Sequence, residues 1–204
     1  MMISNISSDI VSVLVRNKII DISEASVYQY GFEIFISSLF TCVIALVSGL
    51  LLKCVLASVI YFAIFAISRT ICGGYHSKTY LACNSIFTIV TVSVLMMFKF
   101  LPFEQFTELH YIFILFSVLI TYYYAPVENE NKPLTIGQKK LFRILGTSMV
   151  LMLATVSCVL KIKFRSSYSI LIDSTLFVVA FSMFVTDPRK GEKSEWTRSL
   201  FSRL

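Results

Sequence analysis

The chain has 204 residues, 56% of them hydrophobic and only 15% charged, and its mean hydropathy is +0.78. This excludes an ordinary soluble domain and predicts an all-α, polytopic integral membrane protein, with length for about six transmembrane helices of about 20 residues. The net charge of +6 would suggest nucleic acid as the partner of a soluble protein. Here it predicts basic loops against anionic membrane lipids, with an acidic peptide as a second partner and no nucleic acid.

The chain reads as one membrane domain over 1–204. An amphipathic segment covers 1–29, a transmembrane bundle 30–186 and a basic tail 187–204. Residues 3 to 20 set Ile3, Ile6, Ile10, Val13 and Leu14 at helical spacing, with serines, Asp9 and Arg16 largely on the other side. That pattern predicts an interfacial helix lying on the membrane. The start of the chain does not read as a removable signal peptide. Asp21 and Glu24 have the spacing of a capping box and could open the next helix.

Spans follow at about 32–52, 54–68, 80–100, 109–125, 144–160 and 169–186. The second is short enough that Lys53 must snorkel for it to cross. Pro126 and Pro133 bound the one long polar loop, which leads to Lys139, Lys140 and Arg143. Six spans put both termini on one side. With the loops at 69–79 and 126–143, that side then holds thirteen of the eighteen lysines and arginines, which predicts a cytoplasmic location for the termini, both loops and the His76 segment. Lys161, Lys163 and Arg165 fall on the other side and resist this arrangement, so a re-entrant or missed span near them is the competing reading.

Between the second and third spans lies Arg69-Thr-Ile-Cys-Gly-Gly-Tyr-His-Ser-Lys-Thr-Tyr-Leu-Ala-Cys83. Gly73 and Gly74 permit backbone conformations closed to a regular helix. His76 can exchange a proton near neutral pH, and a cysteine thiolate is a nucleophile. On an unbroken helix His76 and Cys83 would stand about 10.5 Å apart along the axis. A working thiol–imidazole pair needs roughly 2.6–3.2 Å. A joint role therefore demands a break, with the second helix ending at or before Gly74 and the third starting between Ser77 and Tyr80.

On spacing alone Cys72 competes as nucleophile. The bland alternative is an interfacial histidine beside a buried cysteine. The five cysteines show no disulfide or zinc spacing, and neither metal nor cofactor is expected. His110 reads as an interface residue. Asp173 reads as paired with Arg165 or hydrated, and Lys139, Lys140 and Arg143 read as lipid anchors.

Arg69, Gly73-Gly74-Tyr75-His76 and Cys83, with Ala125-Pro126 and Asn131-Lys132-Pro133 further on, resemble the accessory gene regulator B family of Gram-positive quorum-sensing systems. Length and hydropathy layout agree over nearly the whole chain. The resemblance implies a membrane cysteine endopeptidase, without cofactor, that processes the propeptide of an autoinducing peptide. Cys83 would be its nucleophile and His76 its base. An acyl-enzyme thioester would pass to an internal propeptide cysteine, closing a thiolactone ring. Arg69, Gly74, Lys132, Lys139 and Lys140 would bind substrate, and a homodimer is implied. A non-catalytic peptide-binding or export component and a small-solute carrier are the other classes left open.

Overall fold

The structure, a computed structural model, describes residues 2–74, 80–101, 107–127 and 134–186. Within them the chain forms helices α1 (Met2–Arg16), α2 (Ala25–Leu51), α3 (Val55–Cys72), α4 (Tyr80–Phe100), α5 (Thr107–Tyr124), α6 (Ile136–Ile162) and α7 (Tyr168–Thr186). A short 3₁₀ turn, Ile22–Glu24, precedes α2. Helices α2, α3, α4, α6 and α7 are long and apolar enough to cross a membrane. Helix α5 equals α3 in length, but Glu108, His110 and three terminal tyrosines dilute its apolar run. It packs along α6 and α7 and takes the sixth place in the bundle.

Helix α7 is the axis. It touches α3, α4, α5 and α6, and most of its residues from Ser169 to Met183 are buried. A helix apolar all round is what an interior position requires. Its hydroxyls are satisfied within the helix: Ser174 Oγ donates to the Ile170 carbonyl and Thr175 Oγ1 to that of Leu171, both at 2.5 Å. These two hydroxyls thereby enter the bundle with their hydrogen bonds met. Around α7, one buried cluster joins Ala45, Tyr61, Phe87, Leu95 and Leu171, and another joins Cys72, Ala125, Val127, Ala180 and Met183.

Small residues set the closest approaches, as dispersion-driven packing in lipid favours. A β-carbon at Gly49 would sit 2.6 Å from Ser58 Cβ, and one at Gly146 would sit 2.9 Å from Cys72 Sγ. Ser58 Oγ completes the first contact by donating to the Ala45 carbonyl across α2 and α3. At the turn of the same hairpin, Lys99 Nζ of α4 donates to the Leu52 carbonyl at 2.9 Å and satisfies part of the α2 terminus.

Several boundaries depart from the sequence reading. Helix α3 is a full span, because Arg69 lies inside its last turn instead of ending it. Helix α2 begins seven residues early. Helix α6 takes in Lys139, Lys140 and Arg143, since Thr135 and Gln138 form the capping box that starts it. The box expected at Asp21 is absent: Asp21 makes no side-chain cap and leads only the 3₁₀ turn. No span was missed near residue 163. Helix α6 runs through Lys161, and a turn with Arg165 at φ 45° returns the chain into α7. Helix α1 packs on α2 through Ile3, Ser7 and Val11, leaving Ile6 and Val13 exposed beside that contact.

Gly146→Val should force α3 and α6 apart and cost about 1–3 kcal/mol. Gly137→Ala, with open space around it, should change stability by less than about 1 kcal/mol. Thermal unfolding in detergent micelles checks both.

Candidate functional site

The break expected before Cys83 is present: α3 stops at Cys72 and α4 starts at Tyr80. Gly73 and Gly74 end α3 at φ 75° and 143°, conformations that residues with a side chain rarely adopt. The Gly73 amide closes the final turn by donating to the Arg69 carbonyl at 3.0 Å. Neither glycine has room for a side chain. A β-carbon on Gly73 would collide with the Val127 carbonyl, and one on Gly74 would lie 2.5 Å from Ser182 Oγ on α7.

The turn after α5 is tied to this helix end. The Val127 amide donates to the Cys72 carbonyl at 2.9 Å. The Ala125–Pro126 peptide is cis, and Arg143 Nε of α6 donates to the Ala125 carbonyl at 3.1 Å. Arg143, exposed on α6, thereby also caps the α5 terminus. That role was not evident from the sequence, because its acceptor is a main-chain oxygen.

These ties wall one end of a cavity of about 800 Å³, within the usual range of ligand sites. Helix α2 contributes Tyr30, Ser37 and Thr41, α3 contributes Phe65 and Arg69, and α4 contributes Cys83 and Phe87. Pro126, Val127, Leu134, Phe142, Phe181 and Ser182 complete much of the remaining wall. Arg69 is the one charged group among the described lining residues. Its guanidinium lies 5.8 Å from the centre of the Phe65 ring and within electrostatic reach of Cys83. The site thus offers a thiol, a fixed cation and an apolar, partly aromatic lining.

Of the predicted site residues, Arg69 and Cys83 share this cavity. His76 and Lys132 lie outside the described residues, and so does the separation of His76 from Cys83. Gly73, not Gly74, lines the wall; Gly74 is buried against Ser182. Lys139 and Lys140 are exposed in the first turns of α6 and do not line the cavity. The structure also separates the two competing cysteines. Cys72 is fully buried against Gly146 and Ala125, whereas Cys83 is partly exposed on the cavity wall.

A second polar cluster, unread in the sequence, joins α5, α6 and α7. His110 Nδ1 and Asp173 Oδ2 are 2.5 Å apart, Ser157 Oγ lies 2.6 Å from Asp173 Oδ1, and Cys158 Sγ lies 3.7 Å from His110 Nε2. His110 and Asp173 are both buried. Asp173 is thus paired with His110 and not Arg165, and His110 is an interior residue. A carboxylate inside an apolar helix was the available signal, since such a group demands a partner.

Fold and cavity together define a multi-pass helical membrane protein with a cysteine and an arginine facing one half-open, largely apolar cleft. The model of the family described as Accessory gene regulator B matches residues 7–185, and the chain belongs to that family, which acts in quorum sensing. It is similar to AgrB-like protein 2 of Clostridium perfringens (strain 13 / Type A), 26% identical over 68% of this chain and 67% of that one. An AgrB-like protein of Clostridium beijerinckii is 29% identical over 58% of each chain. An AgrB-like protein of Clostridium perfringens (strain SM101 / Type A) is 26% identical, again over 68% and 67%. No solved structure matches.

N-ethylmaleimide, applied briefly to the folded protein in micelles, should modify Cys83 and spare Cys72. Peptide mapping by mass spectrometry reads both sites in one sample.

Proposed function

We propose that the protein is a membrane cysteine endopeptidase that removes the C-terminal part of an autoinducing-peptide propeptide and promotes closure of a thiolactone ring. The observation that carries this reading is the shared cavity of Cys83 and Arg69, set beside a glycine-broken helix end in a chain of this family. Cys83 is the nucleophile and His76, seven residues earlier, the base that takes its proton. The thiolate adds to a peptide carbonyl, the amine of the downstream segment leaves with a proton, and an acyl-enzyme thioester remains. A propeptide cysteine then exchanges with that thioester and releases Cys83, one thioester replacing another.

The apolar wall favours this second step, because water that reached the acyl-enzyme would hydrolyse it. Arg69 supplies a positive charge next to the thiol and suits an acidic stretch of the substrate. Lys139 and Lys140 are exposed at the start of α6, where a basic surface would steer an acidic tail, and Lys132 is assigned to the same task by the family resemblance alone. The acting unit is a homodimer in the cell membrane, with both termini, the catalytic segment and residues 126–143 on the cytoplasmic side, as the cation asymmetry favours.

Co-expression with the cognate propeptide should give the shortened product with the wild-type chain and with Cys72→Ala, but none with Cys83→Ala or His76→Ala. Full cleavage by Cys83→Ala would overturn the assignment. Arg69→Gln should slow cleavage by roughly 10-fold or more, the worth of one charge-assisted contact of about 1.5–3 kcal/mol. For the topology, Ile136→Cys in a background without other cysteines should resist a membrane-impermeant maleimide applied to intact cells and react after lysis. Labelling of intact cells would reverse the orientation.

A further inference from the structure

We propose that Cys158, His110 and Asp173 form a second thiol site, remote from Cys83, that accepts acyl groups from fatty acyl thioesters. The inference does not rest on propeptide processing. It begins from an arrangement that three separate helices build. His110 Nδ1 contacts Asp173 Oδ2 at 2.5 Å, and the opposite ring nitrogen faces Cys158 Sγ at 3.7 Å.

The cluster lies toward the far end of the bundle. Gly146 is level with Cys72, and Cys158, twelve residues further along α6, stands about 18 Å up the axis. Asp173 is nine residues from Ser182, which touches Gly74, and so about 13 Å along α7. His110 is fourteen residues from Tyr124, the last residue of α5, or about 21 Å. All three steps lead away from the Cys83 cavity.

The geometry is that of a proton relay. Among the described residues no group of three or more His, Cys, Asp or Glu could hold a metal ion, because sulfur and carboxylate meet opposite nitrogens of one ring. With the imidazole proton on Nδ1, Asp173 accepts from it and the Nε2 lone pair is left toward the thiol. The Ser157 hydroxyl, 2.6 Å from the other carboxylate oxygen, holds Asp173 from behind. His110 and Asp173 are buried, while Cys158 is partly exposed. The relay is sheltered and its sulfur can be reached.

The surroundings of the sulfur choose the substrate class. On the face of α6 that carries Cys158, Ile162 one turn further on is exposed and offers an apolar contact for a hydrocarbon chain, while the Lys161 ammonium lies within electrostatic reach of the sulfur and suits the polar head of a thioester. The chemistry asked of the relay is modest. His110 Nε2 takes the thiol proton, and the thiolate adds to the thioester carbonyl. The new C–S bond forms, the old one breaks, and the departing thiolate takes the proton from His110. One thioester and one thiol enter, and one thioester and one thiol leave. The leaving group is itself a thiolate, so no poor leaving group has to be expelled as it would be from an amide. His110 is the catalytic residue of this step, and Asp173 is a positioning residue.

The purified full-length protein in detergent micelles is treated with the octanoyl thioester of N-acetylcysteamine, and octanoyl adducts on each cysteine are followed by mass spectrometry. Cys158 should acquire the adduct at least about 10-fold faster than Cys42, a partly exposed cysteine of α2. His110→Gln should slow Cys158 by roughly 100-fold, within the span of general-base contributions. Asp173→Asn should slow it too and should abolish the strongly deshielded imidazole proton expected in the NMR spectrum of the wild-type protein. Equal rates at Cys158 and Cys42, or an unchanged rate in His110→Gln, would overturn the proposal. The comparison of Cys158 with Cys42 uses wild-type protein alone and stands even if a variant does not fold. Adducts on Cys83 are counted separately, so a failure of the peptidase reading leaves this result intact.

Discussion

The bundle depends on one helix, α7, that is buried over most of its length. Most lipid-embedded helices gain from exposing an apolar side, but α7 gives up much of that to touch four neighbours. The helices around it have no hydrophobic force drawing them together, since lipid tails are as apolar as their side chains. What holds them is contact area and the few polar groups that find partners on α7. Two such groups mark its ends: Ser182, pressed on Gly74, and Asp173, paired with His110. Both chemically notable regions are thereby anchored to one rod.

The layout of the site follows from where backbone regularity fails. A helix consumes its own hydrogen-bonding groups except at its ends, so a helix end brought inside a protein must be met by something. At Cys72 it is met by Val127, and at Tyr124 by Arg143 through Ala125. The glycines permit the turn, and their lack of a side chain lets main chain lie on main chain. A cavity lies beside these contacts, with Cys83, one turn into α4, on its wall. The thiol is fixed by regular structure, while the wall opposite it is irregular backbone.

Much of this was legible in the sequence, and the exceptions share a cause. The helices were visible because long apolar runs admit few other readings, and the break at Gly73 followed from residue chemistry and the reach of a helix. Arg69 misled, since a charge in a hydropathy pattern looks like a boundary when it is in fact turned into a cavity. Thr135 and Gln138 carried a readable start signal that the prolines and lysines around them obscured. Cys72 could not be told from Cys83 by spacing. Its burial depends on Gly146, more than seventy residues away, having no side chain. His110 and Asp173 likewise meet across sixty-three positions, and no local pattern announces such a pair.

The hydrogen bond from Val127 to Cys72 has a consequence for how such a pocket diversifies. Both partners are main-chain atoms, so the bond is blind to the side chain at position 127. Val127 borders the cavity, and a different side chain there would reshape the wall while the tie beneath it stayed in place. Gly73 has no such freedom, because its neighbour's carbonyl occupies the space where any β-carbon would go. A rigid hinge thus adjoins a replaceable tile. Paralogues with different substrates could share the first and differ in the second, changing selectivity without rebuilding the helix end that supports it.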